Sequence, residues 1–440
     1  MRFNQVILFI LLTMVQTAAF AQIRPGDSLT VTDAVRITIT DHPLIRQSAA
    51  LLDAARSRTE ASRSSLYPTA DAELGYTLLT PIAELAFPGL GDFKLYPENN
   101  FDEHIAVQQT VYDFGRRDAT IDLNGRKAGT VADNIAILRA ELAYQTVQTF
   151  YTILFLRQSS TVQEQQIDAL GEHLVITQKR MQSGSATDYD VLTTQVRIAA
   201  ARNRLFDLTN DMHKREAQFR RLLGLPAGAD VLLRGSFAQT AVTLNEDSLI
   251  ALALQRRCEL KLARDAEAVA EAEMRVAETR DRPALNAAVV YGVKNGYIPN
   301  LDIWRGNLIF GLEAKIPIFD GFRTRNDMDE ASANLRAAAL KRADTERMIV
   351  QEVQQSVSDL RTTAEKLQTS DIQVDQAARA LEMAKVRYDN GVITNLDLID
   401  AETALAQAKL TQVDALKDYV IGSYSVKKNT GEEYFAVPQN

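Results

Sequence analysis

Few residues in this chain of 440 are of a kind and spacing that could make or break bonds. The one cysteine, Cys258, excludes an internal disulfide framework and any cysteine-based metal knuckle. The four histidines, His42, His104, His173 and His213, are nowhere at metal-ligand spacing. There is no glycine-rich phosphate loop and no nucleophile elbow, and Gly224-Leu225-Pro226-Ala227-Gly228 reads as a helix terminator with a loop. The carboxylates worth noting are Asp397 and Asp400, which lie just beyond Gly391 and share one face if that segment is helical. Such a pair is a local field of negative charge, or simply an acidic helix start that complements the dipole. No enzyme, no metal and no cofactor are expected. Net charge is −8 with scattered basic residues, which argues against nucleic acid.

The elements that carry these residues come twice. Tyr112-Asp113-Phe114-Gly115-Arg116-Arg117 returns as Phe319-Asp320-Gly321-Phe322-Arg323-Thr324, an offset of 207 residues. The same offset takes Arg180 to Arg387, Gly184 to Gly391, Asp190 to Asp397 and Gly224 to Gly431. Upstream, Leu66-Tyr67-Pro68-Thr69 is echoed by Asp281-Arg282-Pro283-Ala284 at a shift of 215. One supersecondary unit is therefore used twice, with loops of different length between its parts.

Proline marks the boundaries, since none occurs between Pro97 and Pro226 or between Pro317 and Pro438. These tracts are rich in good helix formers, and the second lacks glycine from Phe322 to Asn390. A continuous helix of that length would be roughly 100 Å long. Leu360, Leu367, Val374, Leu381 and Tyr388 recur every seven residues, with Ala364, Ala377 and Ala384 between them, which predicts a coiled-coil seam. Ile153, Ser160, Ile167, Leu174 and Met181 are the matching positions of the first copy. Each rod ends in a glycine turn, Gly184 or Gly391, followed by a Thr/Asp or Thr/Asn cap, so each half holds a long helical hairpin.

Four segments alternate with period two: 69–79, 101–112, 284–294 and 307–317. Each has the length of a tilted transmembrane strand, with aromatics such as Tyr76, Tyr112, Tyr291, Trp304, Phe310 and Phe319 in or near it. Alternation alone also fits a four-stranded sheet in a soluble α+β domain. The insertion of two hairpins between helices, together with the N-terminus, favours the membrane. There, Arg2, an apolar run from Val6 to Leu12 and Ala19-Phe20-Ala21 read as a signal peptide over residues 1–21. No cysteine follows it, which leaves no site for lipid attachment. Lipid tolerates no open sheet edge, so four strands cannot stand alone; three chains would pool twelve.

In order and duplication, this chain resembles the TolC-type outer-membrane efflux protein family over essentially its whole mature length. The likeness rests on the Tyr67-Pro68 and Arg282-Pro283 strand entries, the Asp-Phe-Gly and Asp-Gly-Phe exits and the paired Gly-x-x-x-x-x-Asp tips. Leu29-Thr30-Val31-Thr32-Asp33-Ala34-Val35 through His42-Pro43-Leu44 also resembles the family's first helix. The resemblance implies a mainly helical, internally duplicated chain whose homotrimer closes a twelve-stranded barrel in the outer membrane. A periplasmic helical tunnel would continue it and dock with a periplasmic adaptor and an inner-membrane transporter. It also implies a gate at the periplasmic end. Asp397 and Asp400 would form carboxylate rings that favour cations, and a Tyr388–Asp190 hydrogen bond would tie neighbouring hairpins. Gly184, Ser185, Ala186, Gly391, Val392 and Ile393 would meet the adaptor. Some relatives carry an arginine where this chain has Ile393, so an arginine lock is not expected there.

The expected division is a signal over 1–21, a first repeat over 22–224, a connecting equatorial segment over 225–247, a second repeat over 248–431 and a tail over 432–440. The competing reading is a periplasmic adaptor or coiled-coil scaffold. Adaptors, however, carry one helical hairpin flanked by β-rich domains, whereas two hairpins of equal length are expected here.

Overall fold

Two helices open each half of the chain, and a proline or polar break sets the angle between them. A computed structural model describes residues 28–87, 89, 91–237 and 245–432. The expected signal segment, residues 238–244 and residues 433–440 lie outside the described residues. Helix α1 (Val31–Asp41) starts on a capping box between Thr30 and Asp33 and ends at His42, whose extended backbone and ring nitrogen cap helix α2 (Pro43–Arg63). Pro43 at the first helical position sacrifices no hydrogen bond. The chain then runs through helix α3 (Arg116–Gln182), α4 (Asp188–Leu222), α5 (Glu246–Arg256), α6 (Cys258–Glu278), α7 (Arg323–Asp389) and α8 (Asn395–Thr430).

The duplication is visible in the bounds. α3 and α7 are both 67 residues long and start 207 residues apart, while α2 and α6 are both 21 residues long and start 215 apart. At 1.5 Å per residue each long helix extends about 100 Å.

The strand exits explain why the Phe and Gly of the repeated motif can exchange places. Both residues after the aspartate are left-handed in each copy: Phe114 (φ 56) and Gly115 (φ 88), then Gly321 (φ 70) and Phe322 (φ 66). A phenylalanine there is strained, and the aspartate compensates by capping the helix that follows. Asp113 accepts from the backbone of Arg117 at 3.0 Å, and Asp320 from that of Thr324 at 2.7 Å.

The first short strand, β1 (Ser28–Leu29), pairs in parallel with β6 (Leu232–Leu233) of the connecting segment, beside the main core. That core gathers Val35, Val147, Phe150, Ile153, Phe219 and Val420 from α1, α3, α4 and α8. The second repeat packs Ala253, Leu260, Ile349, Val353 and Val357 at the corresponding level. Nearby, the buried Arg257 is held by Glu259 and Glu352, each at 2.8 Å.

The membrane-length strands are β2 (Thr69–Leu78), β5 (Asn99–Tyr112), β7 (Ala284–Lys294) and β8 (Arg305–Lys315), all antiparallel in the order β2-β5-β7-β8. The expected strand at 307–317 is shifted to 305–315, because Pro317 has no N–H and disfavours regular pairing at Ile316. The expected 101–112 begins two residues earlier, at Asn99. A hairpin of β3 (Glu84–Phe87) and β4 (Gly91–Lys94), not foreseen in the sequence, fills the loop between β2 and β5.

Register places the apolar positions on one face: Leu74, Tyr76, Ile105, Val289, Tyr291, Leu308, Phe310 and Leu312. Most are more than half exposed, Phe310 at 72%. The other face carries Asp71, Glu73, Asp102, His104, Asn286, Asn307 and Glu313. Glu103 and Gln109 depart from this, seated among the apolar side chains, and Val290 pairs with Ile309 on the other face. A bulge near Val111 departs from simple alternation and brings Tyr112 opposite Leu285.

Aromatic rings mark both ends of the sheet. Tyr76, Phe101 and Trp304 stack in sequence at one end with centroids 5.1 and 5.0 Å apart. At the other, Tyr112 meets Phe114 and Phe319 meets Phe322. An outward apolar band between two aromatic ends is the pattern of a strand set in lipid. Within the chain β2 and β8 are both edges, so the sheet is an open segment.

Candidate functional site

The two hairpin tips, about 100 Å from the sheet, hold most of the residues singled out in the sequence. Each tip closes with a Schellman turn around a left-handed glycine. Ser185 N–H donates to the Arg180 carbonyl at 2.7 Å around Gly184, and Val392 N–H to the Arg387 carbonyl at 2.9 Å around Gly391. The next helix then starts on a capping box in both copies. Asp190 Oδ2 accepts from Thr187 N and Oγ1 at 2.9 and 2.7 Å, and Asp397 Oδ2 from Thr394 N and Oγ1 at 2.8 and 2.7 Å. The Thr394 hydroxyl, then the Thr394 backbone, hold the Asp397 carboxyl below the usual carboxylate range. Asp397 is thus a fixed, ionised and exposed charge at the tip.

Asp400 is also exposed and pairs with Arg197 of α4 at 3.1 Å, linking the two hairpins. An exposed pair of this kind contributes at most about 1 kcal/mol. Of the expected tip contacts, Gly184, Ser185, Gly391 and Val392 are exposed, and Ala186 and Ile393 are half-buried.

Tyr388 is buried. The Arg180 guanidinium lies 4.3 Å over its ring and also pairs with Asp389, and the ring meets His173 edge-on at 5.2 Å. Among the described residues the Tyr388 hydroxyl makes no hydrogen bond to Asp190, whose carboxylate is taken up by Thr187. Asp190 joins the same junction through its backbone, where its carbonyl accepts from Asn395.

Sequence reasoning missed the polar cluster at the centre of this junction. Asn395, the first residue of α8, is buried; its Oδ1 accepts from His173 Nε2 at 2.5 Å, and its Nδ2 donates to the Asp190 carbonyl at 3.2 Å. Thr177 and Thr194 complete the cluster at 3.4 Å each. Two turns into α8, Glu402 is buried with Oε2 unpartnered. Burial pushes its carboxyl above the usual range and the neighbouring Glu172 adds to this, while His173 and Lys385 oppose it.

The signal for this cluster lay in the seam. In the first copy Ile153 is buried as expected, but from Gln163 onward the buried positions are Gln163, Gln166, Leu170, His173 and Thr177, at three- and four-residue spacing, whereas Ser160, Ile167, Leu174 and Met181 are only half-buried. In the second copy Leu360, Leu367 and Tyr388 are buried as the heptad predicts. Ala364 is exposed; Thr363 and Ser370 take the intermediate places, because the helix turns slightly past the heptad over this length. Among the described residues no group of three His, Cys, Asp or Glu could hold a metal.

The family model described as outer membrane efflux protein matches residues 35–225 and 249–432. The chain belongs to this family. Over 398 residues it is 22% identical to the outer membrane protein TolC of Salmonella enteritidis, covering 89% of this chain and 79% of the relative. It is 23% identical over 342 residues to the alkaline protease secretion protein AprF of Pseudomonas aeruginosa, covering 75% and 69%. The crystal structure of the Campylobacter jejuni CmeC outer membrane channel superposes with a TM-score of 0.80 at 15% identity, covering 93% of this chain and 87% of that one. The fold is therefore that of the outer-membrane efflux channels, and the protein resides in the outer membrane.

Proposed function

We propose that this protein is the trimeric exit duct of a tripartite efflux or type I secretion system. Three chains pool their sheets into a twelve-stranded barrel, and their hairpins form a tunnel through the periplasm. The observation that carries this reading is the four-stranded sheet, with its apolar outer face, aromatic ends and two unpaired edges, standing on helices too long for any compact domain. In lipid an open edge costs several kcal/mol per unsatisfied group, and closure with other copies removes it. The duct is passive and does no chemistry. Its exposed tips at Gly184-Ser185-Ala186 and Gly391-Val392-Ile393 meet a periplasmic adaptor, which in turn couples to an inner-membrane transporter.

The gate is at the same end. By three-fold symmetry Asp397 and Asp400 form two rings of three carboxylates, favouring cations and repelling anions when closed. The fixed, ionised Asp397 supports this. Tyr388 and Asp190 flank the junction whose separation widens the passage.

The test is single-channel conductance of the purified mature protein in a planar bilayer, for wild type and the Asp397→Ala/Asp400→Ala double variant. Small cation-selective steps that grow and lose selectivity in the variant are expected. Steps unchanged by the variant would move the gate elsewhere. A protein that inserts no channel and leaves the membrane with salt would overturn the duct reading in favour of a scaffold.

A further inference from the structure

One buried side chain joins three helices from both repeats, and its counterparts in the duplication join nothing. Asn395 of α8 accepts from His173 of α3 and donates to the Asp190 carbonyl of α4, with Thr177 and Thr194 beside it. The duplication provides an internal control, because the positions 207 residues away are known. Asp188, the counterpart of Asn395, is exposed. The counterparts of His173, Thr177 and Thr194 are Ala380, Ala384 and Ala401. Ala380 is exposed and Ala384 and Ala401 are half-buried, so within this chain the buried polar set occurs only where its two hairpins meet.

Its surroundings sharpen the point. Leu170, Ile198, Ala201 and Ile399 form an apolar cluster at this level. A polar group in an apolar seam fixes register and pairing at some expense of stability. When such a contact parts, its donors and acceptors pass to water, so it can separate at a lower cost than an equal area of apolar surface. Few hydrogen bonds then decide whether the junction is shut. No other side chain described at the tips bridges α3, α4 and α8 together.

We propose that Asn395, with His173 as its principal partner, is the latch that holds the second hairpin against the first at the periplasmic end. Asn395 is a positioning residue: its side chain is buried between helices, and it acts by fixing where α8 starts. The proposal rests on the exit-duct reading, because a latch matters only if the junction opens.

The experiment uses the full mature trimer in a planar bilayer, with wild type, Asn395→Ala and His173→Ala recorded under one set of conditions. Losing one or two hydrogen bonds predicts an open fraction about tenfold above wild type in each variant. His173→Ala removes the same bond from its other end, so the two alanine variants should open alike. Asn395→His adds a readout that a merely structural role would not move. It sets a second imidazole beside His173, so added Ni²⁺ should bridge the two and shut the channel, and EDTA should reopen it. Wild-type channels with unchanged opening in both alanine variants, and no Ni²⁺ effect in Asn395→His, would overturn the latch while leaving the duct intact. Absence of any channel in wild type would overturn the duct and the latch with it.

Discussion

Glu402 should make the periplasmic tip less stable at neutral pH than at mildly acid pH, and Glu402→Gln should remove that dependence. Its carboxyl is buried near His173 and Glu172 of α3 and Lys385 of α7, and one oxygen has no partner. Burial dominates, so the folded-state value lies above the unfolded one. The stabilising state is thus the protonated one. Its contribution is complete below the ordinary glutamate range and is lost as pH rises through the raised folded value. Above that value the site carries a desolvated charge with an unsatisfied acceptor, a burden of about 1–3 kcal/mol. Removing the charge should recover one or two kcal/mol of this, roughly a 5–30-fold change in local opening. Hydrogen exchange of amides in 167–177 and 395–406, corrected for intrinsic rates, reads it directly. The variant should be more protected than wild type at pH 8 and equal to it near pH 4. Lower protection in the variant at pH 8, or the same pH trend in both proteins, would refute the reasoning.

Two further outcomes follow from local geometry. A Cβ at Gly292 would lie 2.3 Å from the Glu103 carbonyl oxygen and 2.5 Å from His104 Cβ, so Gly292→Ala should disrupt the β5–β7 ladder by about 3 kcal/mol and reduce the proposed heat-resistant oligomer on gels. Gly311→Ala, where nothing lies within 4 Å, should assemble normally, and equal behaviour of the two would refute the clash argument. Thr394→Ala and Thr187→Ala each remove a capping box at a tip and should cost about 1 kcal/mol of local stability, seen as faster exchange in the first turn of α8 or α4.

Much of the architecture was legible because it is written locally. The offset of 207 locates the start of α7 from that of α3, and the glycine, threonine and aspartate of each tip specify turn and cap through contacts only a few residues apart. Period two in four segments assigned the faces of the sheet, since alternation follows from the pleat itself. Departures appear where a neighbour intervenes. Ala364 lost its place in the seam to Thr363 and Ser370 because helical drift accumulates over many turns, and Val111 fell at a bulge that pairing across to β7 imposes.

The sequence by itself determined the duplication, the long hairpins, the tips and the membrane-facing side chains, because each depends on spacing along one chain. Only the tertiary structure decided that β5 pairs with β7 to join the repeats and that Asp190 and Asp397 give their carboxylates to their own caps. It alone brought Asn395 to His173, 222 residues away in sequence. The physical reason is that a hydrogen bond between distant segments depends on the relative placement of whole helices, and no period in the sequence encodes that distance.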